Sequence, residues 1–365
     1  MPPWPEGFVR SRNGRDALLQ LSTLHTLQPR RLFELAAEVG SARACVRAIL
    51  DGALVGEADR DRLRWARPAE VQDGLDRCGA RLVAPGDLEY PPSLEDLADP
   101  PAMLFLRGRP LHELGPFVAV VGARSCSPTG REIARAIGAG LASAGVTVVS
   151  GGARGIDTES HEGALSGGGT TVAVLGCGIE RAYPATNRAL LDRIEDRGVV
   201  LSEYPPGVPP DGFRFPARNR IVAALAGGLV VVEGAVGSGS LISADHALEL
   251  GRQIFAVPGA VNNPLAEVPL SLIRDGATMI RGPDDLLGDL GLLDPRATGD
   301  RSPAGLSVAE QMALQSLAGP TLPEHVARAL GCDLGQAVAL LVGLEIKGLV
   351  RSVGGRFERR LVSTS

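Results

Sequence analysis

Between residues 116 and 282, short β-rich runs alternate with helix-length segments, and this alternation constrains the fold more than any other feature. The runs are 117–121, 146–150, 170–175, 199–202, 229–233, 254–257 and 277–280. They are apolar at successive positions, as strands covered on both faces of a parallel sheet must be. The segments between them, such as 130–144 and 240–250, are long enough for crossover helices. The pattern predicts an α/β fold with a doubly wound parallel sheet. Ligands of such sheets bind past the carboxyl ends of the strands, so the chemistry is sought at those ends.

The flanks are different. Residues 1–78 read as an N-terminal helical domain, with apolar residues at helical spacing in 16–21 and 29–39 and a stop at Gly40. Residues 79–115 are Pro-rich and irregular, with short apolar pieces such as 102–106. They extend the α/β core, which then spans 79–287. Residues 288–305 have the composition of a linker. In 306–365, three short helical patterns at 307–317, 323–330 and 334–347 precede two β-rich stretches around Gly354-Gly355. Three helices and a hairpin are a winged-helix arrangement.

Composition narrows the setting. Apolar residues are 44% and charged residues 22%, ordinary globular usage. The five cysteines are odd in number and never form C-x-x-C, which argues against a disulfide framework and a zinc site. A reducing, cytoplasmic compartment is expected. No apolar run reaches membrane-spanning length, and the N-terminus lacks the basic-then-apolar order of a signal peptide. The net charge of −5 advertises no general affinity for nucleic acid, so any basic face must be local.

Four loops suit anions. The first reads Gly122-Ala123-Arg124 ahead of a helix; Arg124 can hold a phosphate with two hydrogen bonds. It is neither a P-loop nor a G-x-G-x-x-G turn. The second reads Ser150-Gly151-Gly152-Ala153-Arg154-Gly155. Asp157 and His161 follow at helical spacing and could form an acid–base pair, but no nucleophile neighbours them, and capping with packing explains both. At Gly176-Cys177-Gly178 the dinucleotide fingerprint is broken, so NAD is rejected and no cofactor is expected. Phe213-Arg214-Phe215 with Arg218, Asn219 and Arg220 opens a further helix. Phe stacks on bases and Arg on backbone or base faces, the chemistry of single-strand binding. The plainer reading makes the Phe residues core and pairs one Arg with Glu233. Last, Ser238-Gly239-Ser240 offers hydroxyls and amides at a helix start. One phosphate would not need so many seats on one sheet edge; a polyanion would.

Over residues 100–282 the chain resembles the DprA/Smf family of DNA-processing proteins. The resemblance is carried by Val121-Gly122-Ala123-Arg124, by 150–157 with His161, by Tyr183-Pro184 with Asn187, by Leu201-Ser202-Glu203-Tyr204, by 215–221, by 238–242 and by 255–259. It implies a Rossmann-like core that binds single-stranded DNA, self-associates as a homodimer and loads the RecA recombinase during natural transformation. The family's DNA contacts carry over to Arg124 and Arg154, and to 215–220 and 238–240. Three places depart from the family pattern: Gly152 replaces a usual Leu, the loop 260–271 reads differently, and 24–28 lacks the Pro-Gly-Leu/Ile-Gly hairpin of the N-terminal helical domain.

The resemblance implies a protein that is not an enzyme. The competing reading is a phosphoribohydrolase-like enzyme on a related core. Such enzymes place a catalytic Glu where this chain has Ser243. A winged-helix transcription regulator is a third reading. It fails because 334–347 offers only Gln336, Glu345 and Lys347 as polar groups for a DNA groove.

Overall fold

The computed structural model describes residues 4–9, 11–24, 26–292, 306–317, 321–347, 349–353 and 355–359. Most of the expected linker, from 293 to 305, lies outside the described residues, as do Gly354 of the expected turn and the end of the chain from 360. The described residues fall into two compact units, Met1–Pro283 and Asp284–Ser365.

The first unit opens with α1 (Arg12–Leu21), α2 (Pro29–Val39), α3 (Ala42–Leu50), α4 (Glu57–Trp65) and α5 (Pro68–Arg77). Local chemistry sets their ends. Ser11 and Ser41 cap α1 and α3 by accepting from Gly14 N and Ala44 N. Pro29 starts α2, and Gly40 ends it in the left-handed conformation at φ 82°. The segment after α5 is more regular than its prolines indicate. It holds β1 (Arg81–Val83) and β2 (Leu104–Gly108), an antiparallel pair joined to the edge of the main sheet.

The alternation then plays out in order: β3 (Phe117–Val121), α6 (Pro128–Ser143), β4 (Thr147–Ser150), α7 (Ile156–Ser166), β5 (Thr171–Leu175), α8 (Arg188–Arg197) and β6 (Val199–Ser202). Next come α9 (Arg214–Leu225), β7 (Gly228–Val231), α10 (Gly239–Glu249), β8 (Gln253–Ala256), α11 (Glu267–Arg274) and β9 (Thr278–Met279); α12 (Pro283–Asp289) follows, all but its first residue in the second unit. Among the described residues the strands form one sheet in the order β1-β2-β6-β5-β4-β3-β7-β8-β9. All its pairings from β6 to β9 are parallel. Strand order therefore runs one way from β3 to β6 and the other way from β7 to β9.

Both faces are covered, as the apolar runs require. In β5, Val172 and Val174 join a core with Ile221–Leu225 of α9 and Ala244 and Ala247 of α10. The alternate residues Ala173 and Leu175 join Leu190, Leu191 and Ile194 of α8 and the apolar sides of α1–α3. The N-terminal helices thus share a core with the sheet, and no break in the first unit falls at residue 78.

The second unit contains α13 (Val308–Gln315), α14 (Pro323–Leu330) and α15 (Leu334–Ile346), then the antiparallel pair β10 (Val350–Val353) and β11 (Arg356–Arg359). Ser307 and Asp333 begin α13 and α15 with capping boxes. Leu317, Val326, Leu341, Leu344 and Phe357 form its core. Among the described residues, no single helix is long and apolar enough to cross a membrane.

Candidate functional site

The strand order reverses between β3 and β7, where an open α/β sheet leaves a crevice at its carboxyl edge. A groove of about 760 Å³ lies there. Its walls are Gly122–Ser125 after β3, Gly151 and Ala153 after β4, Tyr183 after β5, the first turns of α9, and 235–240 after β7. Leu265 also lines it, from the loop whose sequence departs from the family. That loop is tied to the β7 end: Gly234 N–H donates to Leu265 O at 2.7 Å, and Val268 N–H to Gly234 O at 2.9 Å.

Two glycines let these walls converge. Gly155 has φ 81°, and a Cβ there would run into the carbonyl oxygens of Ala123 and Arg124. Without that Cβ, Ile156 N–H reaches Ala123 O at 3.2 Å and α7 begins against the β3 loop. Arg124 and Arg154, both exposed, therefore stand on adjoining loops. Gly151 has no room for a Cβ because the Arg218 guanidinium fills the space.

Inside the groove three side chains form a tier. The rings of Tyr183 and Phe215 stack with centroids 5.0 Å apart and planes 24° apart. The Arg124 guanidinium carbon lies 5.4 Å from the Phe215 centroid. Stacked rings with a cation at one side present both a π surface and a positive charge, the combination that receives a base and its phosphate.

Arg218 forms the floor. It is buried and donates to the carbonyl oxygens of Gly151 and Val174, and through Nε to Asn219 Oδ1 at 3.0 Å. Asp157 is buried as well, and its carboxylate accepts from Gly151 N–H at 3.1 Å and Ala153 N–H at 3.3 Å. Burial pushes the Asp157 carboxyl above its ordinary pKa, and the Arg218 charge opposes the shift. Burial likewise lowers Arg218, with Asp157 opposing. Asn219 Nδ2 donates to Gly239 O at 3.1 Å and clips α9 to the start of α10. There Ser238 accepts from Ser240 N–H at 3.3 Å, and the two hydroxyls are 2.8 Å apart. Ser238, Gly239 and Ser240 thus put the positive end of α10 on the groove wall.

Three residues expected at the interface hold the fold instead. Arg220 is buried with its guanidinium on Glu203 at 3.0 and 2.8 Å and on Asp99 at 2.9 Å; burial opposes its charge, but the two carboxylates together outweigh that and raise its pKa. Ser150 is buried and donates to Val120 O at 2.6 Å, inside the sheet. Gly152 is buried, and its carbonyl accepts from Asn187 Nδ2 at 3.0 Å. Glu233 pairs with no Arg of α9 as the plainer reading had it; it accepts from Ser127 N–H at 2.8 Å and Ser127 Oγ at 2.5 Å at the start of α6. Tyr183 lines the groove, although the sequence alone did not mark it as a candidate. The available signal was the Tyr-Pro pair followed by Asn187, which clamps the same loop through Gly152 O and Thr158 Oγ1.

Asp157 and His161 do not form an acid–base pair. The Asp157 carboxylate turns back to the β4 loop, whereas His161 Nδ1 meets Thr171 Oγ1 at 2.6 Å. Thr171 donates its own proton to Val148 O, so Nδ1 carries the imidazole proton. Burial pushes the His161 pKa down to about 3. The sign follows directly. Below the ordinary value of 6.5 the unfolded chain takes up a proton that the folded chain refuses until about pH 3. Stability should therefore fall by up to about 1.4 kcal/mol per pH unit on acidification through that window. Denaturant unfolding between pH 7 and pH 5 should show a shallower acid loss in His161→Gln than in the wild type; equal losses would contradict the assignment.

Fold and groove define a class: an α/β protein with a ligand crevice at the reversal of a parallel sheet, walled by a helix start, exposed arginine and stacked aromatic rings. Within that class, the chain belongs to the DNA recombination-mediator protein A family, whose model matches residues 81–291. Protein Smf of Escherichia coli K12 is 39% identical over 76% of this chain and 77% of its own length. DNA processing protein DprA of Streptococcus pneumoniae is 42% identical over 55% of this chain and 71% of its own. The crystal structure of the S. pneumoniae DNA processing protein A superposes with a TM-score of 0.66 at 34% identity, covering 76% of this chain and 97% of that one. DNA processing protein A from Helicobacter pylori, solved for its single-stranded DNA binding mode, superposes at 0.53 with 28% identity over 58% of this chain and 95% of its own. The chain is accordingly a DNA-processing recombination mediator.

Proposed function

We propose that the groove binds single-stranded DNA with little regard to base sequence and that the chain passes the strand to the RecA recombinase during natural transformation and recombination. The observation that carries this reading is the Arg124–Phe215–Tyr183 tier at the groove wall. Its ring faces accept a base only if that base has left its own stack, which a strand allows and a duplex resists. The H. pylori relative supports it. With a net charge of −5 and few free arginines at the groove, one protomer offers a modest electrostatic hold. A homodimer supplies two grooves to one strand, and avidity supplies the remaining affinity.

The reading assigns no catalysis and places the protein in the cytoplasm. Ser243 is buried where a phosphoribohydrolase would have its Glu, and the Glu233 carboxylate is engaged by Ser127. We read the second unit as a winged-helix module used for interaction. The polar groups of its third helix are engaged: Gln336 in the capping box, Glu345 with Ser352 N–H at 2.8 Å, and Lys347 just beyond with Glu310 at 2.8 Å.

The test compares a labelled oligonucleotide with a duplex of the same length. Single strands should bind at least about tenfold more tightly, and the same preparation should release no base from nucleoside monophosphates. Equal affinity for the duplex would overturn the proposal, and so would hydrolysis that Asp157→Asn or Glu233→Gln abolishes.

A further inference from the structure

We infer that Phe213 is a second base-stacking station, outside the groove, so that a strand leaving Phe215 crosses the rim and is held again. The inference rests on the single-strand reading above and extends its path.

Phe213 is the N-cap of α9, at φ −73° and ψ −22°, and Phe215 stands two residues on. Residues two apart on a helical turn differ by about 200° in direction. Phe215 accordingly meets Tyr183 in the groove, whereas Phe213 is 61% exposed beside the rim residues Asp211 and Gly212.

A single exposed Phe is ordinary on a protein surface. This one is mounted. The Arg214 guanidinium carbon lies 4.7 Å from the Phe213 centroid and 5.3 Å from the Tyr204 centroid, so one cation addresses two rings. Arg214 is fixed in turn: its side chain is 12% exposed, Nη1 donates to Pro209 O at 3.1 Å, and Asp211 lies at 3.6 Å. Its Nε is buried with no hydrogen-bond partner, as for a guanidinium held by rings. The set Tyr204, Arg214 and Phe213 has the same make-up as the tier in the groove, two rings and one guanidinium, with the guanidinium here facing both rings. The orientation of the outer ring is set before any ligand arrives, which removes part of the ordering cost of binding. A flat, uncharged, preoriented aromatic surface beside a strand-binding groove fits an unpaired nucleobase. Asp211 balances Arg214 locally, so this station adds affinity without taking up a phosphate.

The experiment measures affinity for oligothymidylates of increasing length, for the wild type, Phe213→Ala and Phe213→Trp. Wild-type affinity should step up once the strand is long enough to pass the rim. In Phe213→Ala that step should shrink about 5- to 150-fold, with the log–log salt slope of the long strand unchanged. Phe213→Trp should keep the step, and its added indole fluorescence should be quenched by long strands. A Phe213→Ala variant that matches the wild type at every length would overturn the inference alone, as would one that loses equally on the shortest strand. A wild type that binds no single strand would overturn the functional reading along with it. Melting temperatures matched to the wild type show that any loss is not one of folding.

Discussion

Replacing Arg220 by methionine should cost the Met1–Pro283 unit about 3–5 kcal/mol, because the change leaves a buried carboxylate without its cation. Arg220 is 3% exposed and bridges Glu203 of the β6 end to Asp99 and the Asp99 carbonyl, in the segment that precedes β2. Glu203 has an 11% exposed side chain and would be stranded. At roughly 2–4 °C per kcal/mol for a large domain, melting should drop by roughly 6–20 °C. Thermal melting checks this, and the double variant Arg220→Met with Glu203→Leu should recover part of the loss, since removing both charges is far cheaper than removing one. A DNA-binding arginine would behave in the opposite way, losing affinity at unchanged stability. An Arg220→Met protein that melts with the wild type would return the residue to the interface.

Phe215→Ala should weaken single-strand binding by about 1–3 kcal/mol, or about 5- to 150-fold, and leave its salt dependence nearly unchanged, because a stacking face is removed and no charge. The ring is half-buried between Tyr183 and Arg124, and Gly176 leaves it room: a Cβ there would lie 2.9 Å from Phe215 Cδ1. Truncating a fully buried Phe costs about 3–5 kcal/mol, so a half-exposed one should melt only slightly early. Paired titration and melting curves separate the roles. Early melting with intact affinity would make Phe215 a core residue.

The sheet was legible because its strands are apolar at successive positions, which only cover on both faces explains. Each of the seven expected runs contains or overlaps a parallel strand. The antiparallel pairing of β1 and β2 was not legible, although the apolar piece 102–106 overlaps β2, because the two strands are short and separated by a proline-rich stretch that carries no period. At the site, the glycine-and-arginine loops pointed to the edge where the groove lies, since close backbone approach leaves a mark in sequence. Burial of individual arginines leaves none. Within 218–220, Arg218 floors the groove, Asn219 ties α9 to α10, and Arg220 is spent on two carboxylates far away in sequence, Asp99 and Glu203. All three read alike as polar positions on a helix start. Only tertiary partners, invisible to local spacing, tell them apart. The place of Tyr183 in the groove wall is hidden for the same reason: its stacking partner lies 32 residues on in the chain.

The central claim is that the β3 and β4 loops hold the strand by its phosphates, and the salt dependence of binding tests it most directly. Binding of one long oligonucleotide should be measured over a range of salt for the wild type, Arg124→Ala and Arg154→Ala. Both arginines are exposed on loops that Gly155 brings together, so each should take a phosphate of the same strand. Each variant should bind more weakly, and the slope of log affinity against log salt should fall by about 0.7 for each phosphate that is no longer neutralised. Variants that keep both the wild-type affinity and the wild-type slope would remove this edge of the sheet as the path of the DNA.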